Sequence, residues 1–225
     1  MSHEIDSLIV SPEFYFLAEA SLCRDDQFEK RVRSGKCPPL PESFRLPDLF
    51  IRSLEEPAGQ SVLACWSEQG LGIQFQLEAP APADSAGLKK ASVLDRIQLF
   101  IDTRDLKSNH RLTRFCAVFE IVPPNRFLGK QNAKISLNES SHHHQQLETG
   151  TIEIPFASSL NKQGYLLSIF IPREVLTGFS PAEVPSLGFY YLWNDCQLGM
   201  ISFGPRPEFP VASDPSLWPS LKLIS

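Results

Sequence analysis

A chain of 225 residues with 21 Lys plus Arg against 26 Asp plus Glu carries a net charge of −5, and that balance gives no electrostatic footprint for nucleic acid. Hydrophobic residues make up 42% and aromatics 10%, too much apolar side chain for a disordered protein and enough for one sizeable core, so a single domain over 1–225 is expected. The 19 Pro and 16 Phe beside 12 Gly and 2 Met point to short strands joined by Pro-marked turns and argue against long helices.

At the start of the chain, Glu4 and Asp6 stand where a secretory signal needs basic residues, and Pro12 and Glu13 break the apolar run that begins at Leu8. The expectation is a cytoplasmic protein. No apolar run approaches the ~20 residues that cross a bilayer, so no membrane partner is expected. Cys23, Cys37, Cys65, Cys116 and Cys196 are odd in number, scattered and without a Cys-x-x-Cys pair, which predicts free thiols and no structural metal.

Period-two alternation predicts the strands. The first expected is Ser7–Leu17, then Ser61–Trp66, with Glu68, Gln69 and Gly70 as a hairpin turn. The clearest comes next, with Ile73, Phe75 and Leu77 on a dry face against Gln74, Gln76 and Glu78 on a wet one. Further strands are expected at Arg96–Asp102, Arg114–Val122, Thr151–Phe156, Tyr165–Ile171, Ser186–Trp193 and Met200–Phe203, and the leucines around Trp218 suggest a last one. Pro172 to Leu176 reads as one helical turn. Arg24–Pro47 and Ala79–Ala91 look like loops. The sum is an all-β protein, a two-sheet antiparallel β-sandwich of jelly-roll or immunoglobulin-like type with one short helical turn.

The stretch DRIQLFIDTRDLKSNHRLTRFCAVF, from Asp95 to Phe119, concentrates the charge. Two catalytic acids of a glycosidase must enter one cleft, yet Asp95 and Asp102 have opposite parity on a strand and face opposite sides. Arginines beside Asp102 and Asp105 also favour ionised carboxylates, the reverse of what a general acid needs. The non-catalytic alternative is an ion-pair network of Asp102, Arg104 and Arg114. His142, His143 and His144 lie in a polar stretch and read as a solvated loop. No phosphate cradle, nucleophile elbow or zinc-protease motif occurs, so no enzyme, catalytic residue, cofactor or metal is expected. Trp66 and Trp193 each close an apolar strand beside turn residues, where rings can either pack or stack on a ligand; Trp218 reads as core.

In order, DRIQLFIDTRD, HRLTRFCAVF, GYLLSIFIPREVLTGF, LGFYYLWNDCQLG and DPSLW resemble the blocks of carbohydrate-binding module family 9-like domains, relatives of the DOMON superfamily. The resemblance covers about Leu46 to Leu223. It implies a β-sandwich that holds a sugar between aromatic rings while polar groups read its hydroxyls. By motif, Asp102 and Arg104 match the acidic strand and its turn, and Asn194 and Asp195 the Asn-Asp loop. The expected function is a non-catalytic carbohydrate-binding module with a carbohydrate ligand, Trp66 and Trp193 stacking and Asp102, Arg104, Asn194 and Asp195 hydrogen-bonding. The alternative is a protein-interaction or structural sandwich that has lost the sugar site, favoured if the two tryptophans are buried on opposite sides with no shared cleft. Haem, the DOMON alternative, needs an axial Met, and only Met200 and Met1 are present.

Overall fold

The computed structural model describes residues 18–47, 59–80, 86–92, 95–137 and 153–225. The expected strand at Ser7–Leu17 and the histidine run lie outside them. Among the described residues, eleven strands form two sheets. The seven-stranded sheet runs β1 (Glu19–Cys23), β11 (Ser220–Ile224), β9 (Ser186–Asp195), β4 (Arg96–Asp102), β5 (Cys116–Val122), β6 (Lys134–Leu137), with β10 (Gly199–Ser202) paired to the end of β9. The four-stranded sheet runs β2 (Gln60–Ser67), β3 (Gly70–Glu78), β8 (Gly164–Pro172), β7 (Phe156–Asn161). All these pairs are antiparallel except β1 with β11. This is the two-sheet, all-β sandwich that the alternation predicts.

Between the sheets lie Val62, Ala64, Ile73, Phe75, Leu77, Ile97, Leu99, Ile101, Phe119, Leu167, Ile169, Phe189 and Trp193, every second residue of their strands. The opposite faces are covered too. On the four-stranded sheet, α1 (Phe28–Arg33) lays Phe28 and Val32 over Leu63, Cys65 and Phe170. On the other, Trp218 and Val211 cover Phe100, Val118 and Tyr190. Covering both faces corrects the reading of β3 as half wet: Gln74 is fully buried, accepting from the Leu40 amide at 2.7 Å and donating to the Pro38 carbonyl at 2.9 Å and the Ser168 hydroxyl at 2.8 Å. Gly72 lets α1 approach this closely, since a Cβ there would overlap the Phe28 ring and the Cys65 sulfur.

The structure corrects three further expectations. Arg24–Pro47 and Ala79–Ala91 contain α1 and α2 (Ala86–Ala91). Pro172 ends β8, and the chain beyond it makes a series of turns where a helical turn is expected. The strand expected at Thr151–Phe156 begins only at Phe156, because Pro155 has no N–H to give the ladder; its carbonyl still accepts from the Phe170 amide at 2.9 Å. All five cysteines are unpaired thiols, Cys65 and Cys116 buried. Among the described residues no helix is long and apolar enough to cross a membrane.

Candidate functional site

Strand β9 carries the centre of the expected site. Leu187, Phe189, Tyr191 and Trp193 face the other sheet, and Tyr190 faces outward. Trp193 is 0% exposed, with its ring edge-on to Phe75 at 5.5 Å and 6.1 Å from Tyr165. The ring does not tilt over the sheet edge, because β9 continues to Asp195 and Ile201 of β10 pairs with Trp193, so the residue is interior to a ladder. Trp66 is 6% exposed; its indole N–H donates to the Ile224 carbonyl at 2.9 Å and the Arg24 guanidinium lies 5.2 Å from its ring centre. Trp66 sits level with Leu71 while Val62, opposite Phe75, is level with Trp193. Four residues of strand, about 13 Å, therefore separate the two rings along the sandwich. They share no cleft.

The polar candidates divide in the same way. Asn194 and Asp195 lie beside Arg96, at the beginning of β4, whereas Asp102 and Arg104 lie at its far end. Asp102 is buried and accepts from the Arg104 and Leu106 amides at 3.0 and 3.1 Å. Its carboxyl is raised above the ordinary value, mainly by burial. The expected ion-pair network of Asp102, Arg104 and Arg114 is not formed. Both guanidiniums instead lie against the Phe115 ring, at 4.8 and 4.9 Å from its centre.

What does assemble is a buried polar cluster at the β9 end. Asp195 receives a bidentate pair from Arg126, at 2.9 and 3.0 Å, and accepts the Gln197 and Leu198 amides, each at 2.9 Å. The side chains of Arg126 and Asp195 are 4% and 2% exposed. Arg126 also donates to the Gln197 side chain at 2.9 Å. Asp95 accepts from the Cys196 amide at 2.8 Å. Across the sandwich, Gln60, Leu77 and Tyr165 form one cross-strand row, and a Cβ on neighbouring Gly59 would stand 3.7 Å from Leu198.

Five buried side-chain atoms among the described residues have no partner, and they belong to this end: Gln60 Nε2 and Oε1, Arg126 Nε, Tyr165 Oη and Trp193 Nε1. The indole N–H of Trp193 comes close enough to Tyr165 to favour its ionised form, yet the two close no hydrogen bond. Burial first, then the Asp195 and Asp95 charges, hold the Tyr165 hydroxyl well above its ordinary pKa, so it is a neutral donor. Orphaned buried polar groups are rare, and each costs about 1–3 kcal/mol, so a concentration of them at one place is unusual. Sequence reading missed Gln60, Arg126 and Tyr165, which come from three separate strands and loops and share no local signal. Asp195 and Trp193 are the members that the strand-end pattern marks.

The charges give a pH dependence. Burial first, then repulsion from Asp195, raises Asp95 to about 6 from an ordinary 3.8. The folded state therefore holds this proton more tightly than the unfolded one, and the resulting stability is full below about pH 4 and lost as pH rises through about 6. Asp95→Asn, which keeps an acceptor for the Cys196 amide, is expected to match the parent in acid and exceed it above pH 7 by about 1–2 kcal/mol. Denaturant melts at pH 4 and 8 measure this; an equal difference at both would contradict it.

His110, Asp214 and Ser216 have the residue types of a nucleophilic triad but not its wiring. Asp214 and Ser216 both meet Nδ1 of His110, at 3.1 and 3.0 Å. A relay needs the two partners on different ring nitrogens. Asp214 instead caps the 3₁₀ turn at Pro215–Leu217 by accepting from the Ser216 amide.

Two antiparallel-rich sheets packed on a shared core define an all-β sandwich. More particularly, the fold is similar to that of solved carbohydrate-binding modules of family 9. The chain is similar to a family 9 module from Caldicellulosiruptor kristjanssonii solved in complex with cellotriose, at TM-score 0.54 and 14% identity over 91% of this chain and 93% of that one. It is likewise similar to a family 9 module from the same organism in complex with glucose, at TM-score 0.58 and 11% identity over 92% of this chain and 96% of that one. No protein-family model and no curated protein sequence matches the chain.

Proposed function

We propose that the protein is a non-catalytic carbohydrate-binding module that takes a small sugar at the β9 end of the sandwich. Asp195, Asn194, Gln60, Arg126, Tyr165 and the indole N–H of Trp193 hydrogen-bond its hydroxyls once this end opens to admit it, because the unpartnered atoms are buried in the closed sandwich. The carrying observation is the group of unpartnered polar atoms on Gln60, Arg126, Tyr165 and Trp193, donors and acceptors of the kind a hydroxyl-rich ligand satisfies. The sugars held by the similar modules support the reading. Asp102, Arg104 and Trp66, at the other end, take no part in it.

Calorimetry with glucose and cellotriose at millimolar concentration tests the proposal, with Tyr165→Phe as the informative variant. Deleting a hydroxyl that has no protein partner leaves stability within about 1 kcal/mol of the parent, or raises it. It should weaken sugar binding about fivefold or more, the effect of one lost hydrogen bond. Absence of any heat with the parent would remove the sugar reading. That outcome would leave the second one, a structural or protein-interaction sandwich, whose support is the burial of Trp66 and Trp193 at separate levels, although both lie in the same core and not on opposite sides.

A further inference from the structure

The loop from β4 to β5, residues 103–115, lies at the opposite end from the β9 cluster and is held at several points. Asp102 accepts two of its amides, and the Thr103 hydroxyl donates to the Thr177 carbonyl at 2.6 Å. Lys107 pairs with Asp105 at 2.7 Å and reaches the Trp218 carbonyl. Asp105 also accepts from the Ser220 hydroxyl at 3.0 Å, and His110 meets Asp214. Both carboxylates, at 102 and 105, are thus committed to holding the loop in place.

Three arginines on the same loop have no such commitment. Among the described residues, no carboxylate pairs with Arg104, Arg111 or Arg114. Arg111 and Arg114 are exposed and Arg104 half-buried. Arg104 and Arg114 both lie on the half-buried Phe115 ring, which places their guanidinium carbons within about 10 Å of each other. Gly178 makes room for this stack, since a Cβ there would stand 3.0 Å from the ring and 3.1 Å from Arg104. Guanidiniums held against a ring lose less entropy than free ones on meeting a planar anion. Arg104 and Arg114 are thus two cations without carboxylate partners beside one ring, with Arg111 exposed on the same loop, on a chain of net charge −5.

We propose that Arg104, Arg111 and Arg114 form a binding site for an anionic polysaccharide, one that carries carboxylates along its chain. The choice of occupant rests on what the patch lacks. A protein partner needs apolar anchors at the centre of the interface, and of the exposed large hydrophobics only Leu106 belongs to this loop. Three unpaired arginines on one loop, with Lys107 and His110 already engaged by Asp105 and Asp214, are too few to follow a nucleic-acid backbone. A polyuronate presents spaced planar carboxylates in a hydrated, polar chain, which suits separate guanidinium forks. This site is independent of the neutral-sugar reading at the β9 end.

Retention on immobilised polygalacturonate, with polyglutamate as companion matrix, tests the proposal. The parent should be retained by polygalacturonate at about 20 mM salt and elute as salt rises. Arg111→Gln and Arg114→Gln, at exposed positions, should each lower affinity about threefold or more, and the pair about tenfold, with unchanged melting. Arg114→Lys should recover only part of the loss, because it restores charge without the fork. Tyr165→Phe should leave retention intact, so failure at one end is distinguishable from failure at the other. No retention of the parent, or retention that survives the double substitution, overturns the proposal. Equal binding to polyglutamate would also overturn it, by reducing the site to charge alone.

Discussion

Trp193→Ala is expected to destabilise the protein by about 3–5 kcal/mol, the cost of lost burial plus the cavity left behind. The ring is fully buried between the sheets, edge-on to Phe75 and close to Tyr165, and a paired strand on each side of β9 limits collapse into the space. For a domain of this size the melting temperature should fall by roughly 6–20 °C. Phe75→Ala should fall in the same range, since Phe75 is also fully buried and packs on the same ring. Urea melts of both proteins check this. A loss under about 1 kcal/mol at Trp193 would mean that the ring contributes little burial and would return it to the role of a stacking surface.

The alternation rule found the sandwich because the faces that meet between the sheets are strictly periodic, as in Ile73, Phe75 and Leu77 or Ile97, Leu99 and Ile101. It misjudged the outer faces. Gln74 is polar by type, and nothing local announces that Leu40 and Pro38 will arrive to satisfy its amide. The same blindness hid α1, whose six residues, Phe28–Arg33, are rich in charge; only Phe28 and Val32 reach the sheet. A short helix with two buried residues barely raises a periodic signal.

At the candidate site, the Asn-Asp ending of β9 was legible as a strand-end turn, and Asp195 does close that turn through the Gln197 and Leu198 amides. Its partner was not legible. Arg126 is 69 positions away, after Pro123 and Pro124, and only the pairing of β4 with both β5 and β9 brings the two together. Aromatic type at a strand end was ambiguous for a definable reason. Whether Trp193 closes a strand or sits inside one depends on β10, four residues with Gly199 at the start, and a ladder of that length is set by tertiary pairing more than by its own sequence.

The Arg126–Asp195 pair should show an asymmetric response to substitution. Both side chains are almost wholly buried and bound in a bidentate fork, so removing one partner leaves a charge in a poorly solvated place. Asp195 without Arg126 still accepts two amides, at 2.9 Å each. Arg126 without Asp195 keeps the Gln197 side chain and its contact with the Phe127 ring, and its Nε has no hydrogen-bond partner. Asp195→Ala is therefore expected to cost about 3–5 kcal/mol and Arg126→Leu about 2 kcal/mol. The turn at 195–198 should loosen only in the first variant, because its amide acceptor is lost there. Joining the two substitutions should cost less than their sum by about 1–3 kcal/mol, since no buried charge is left alone. Denaturant melts of the four proteins complete the cycle, and hydrogen exchange at the Gln197 and Leu198 amides tracks the turn. Strict additivity would show that the two charges do not depend on each other in the folded protein.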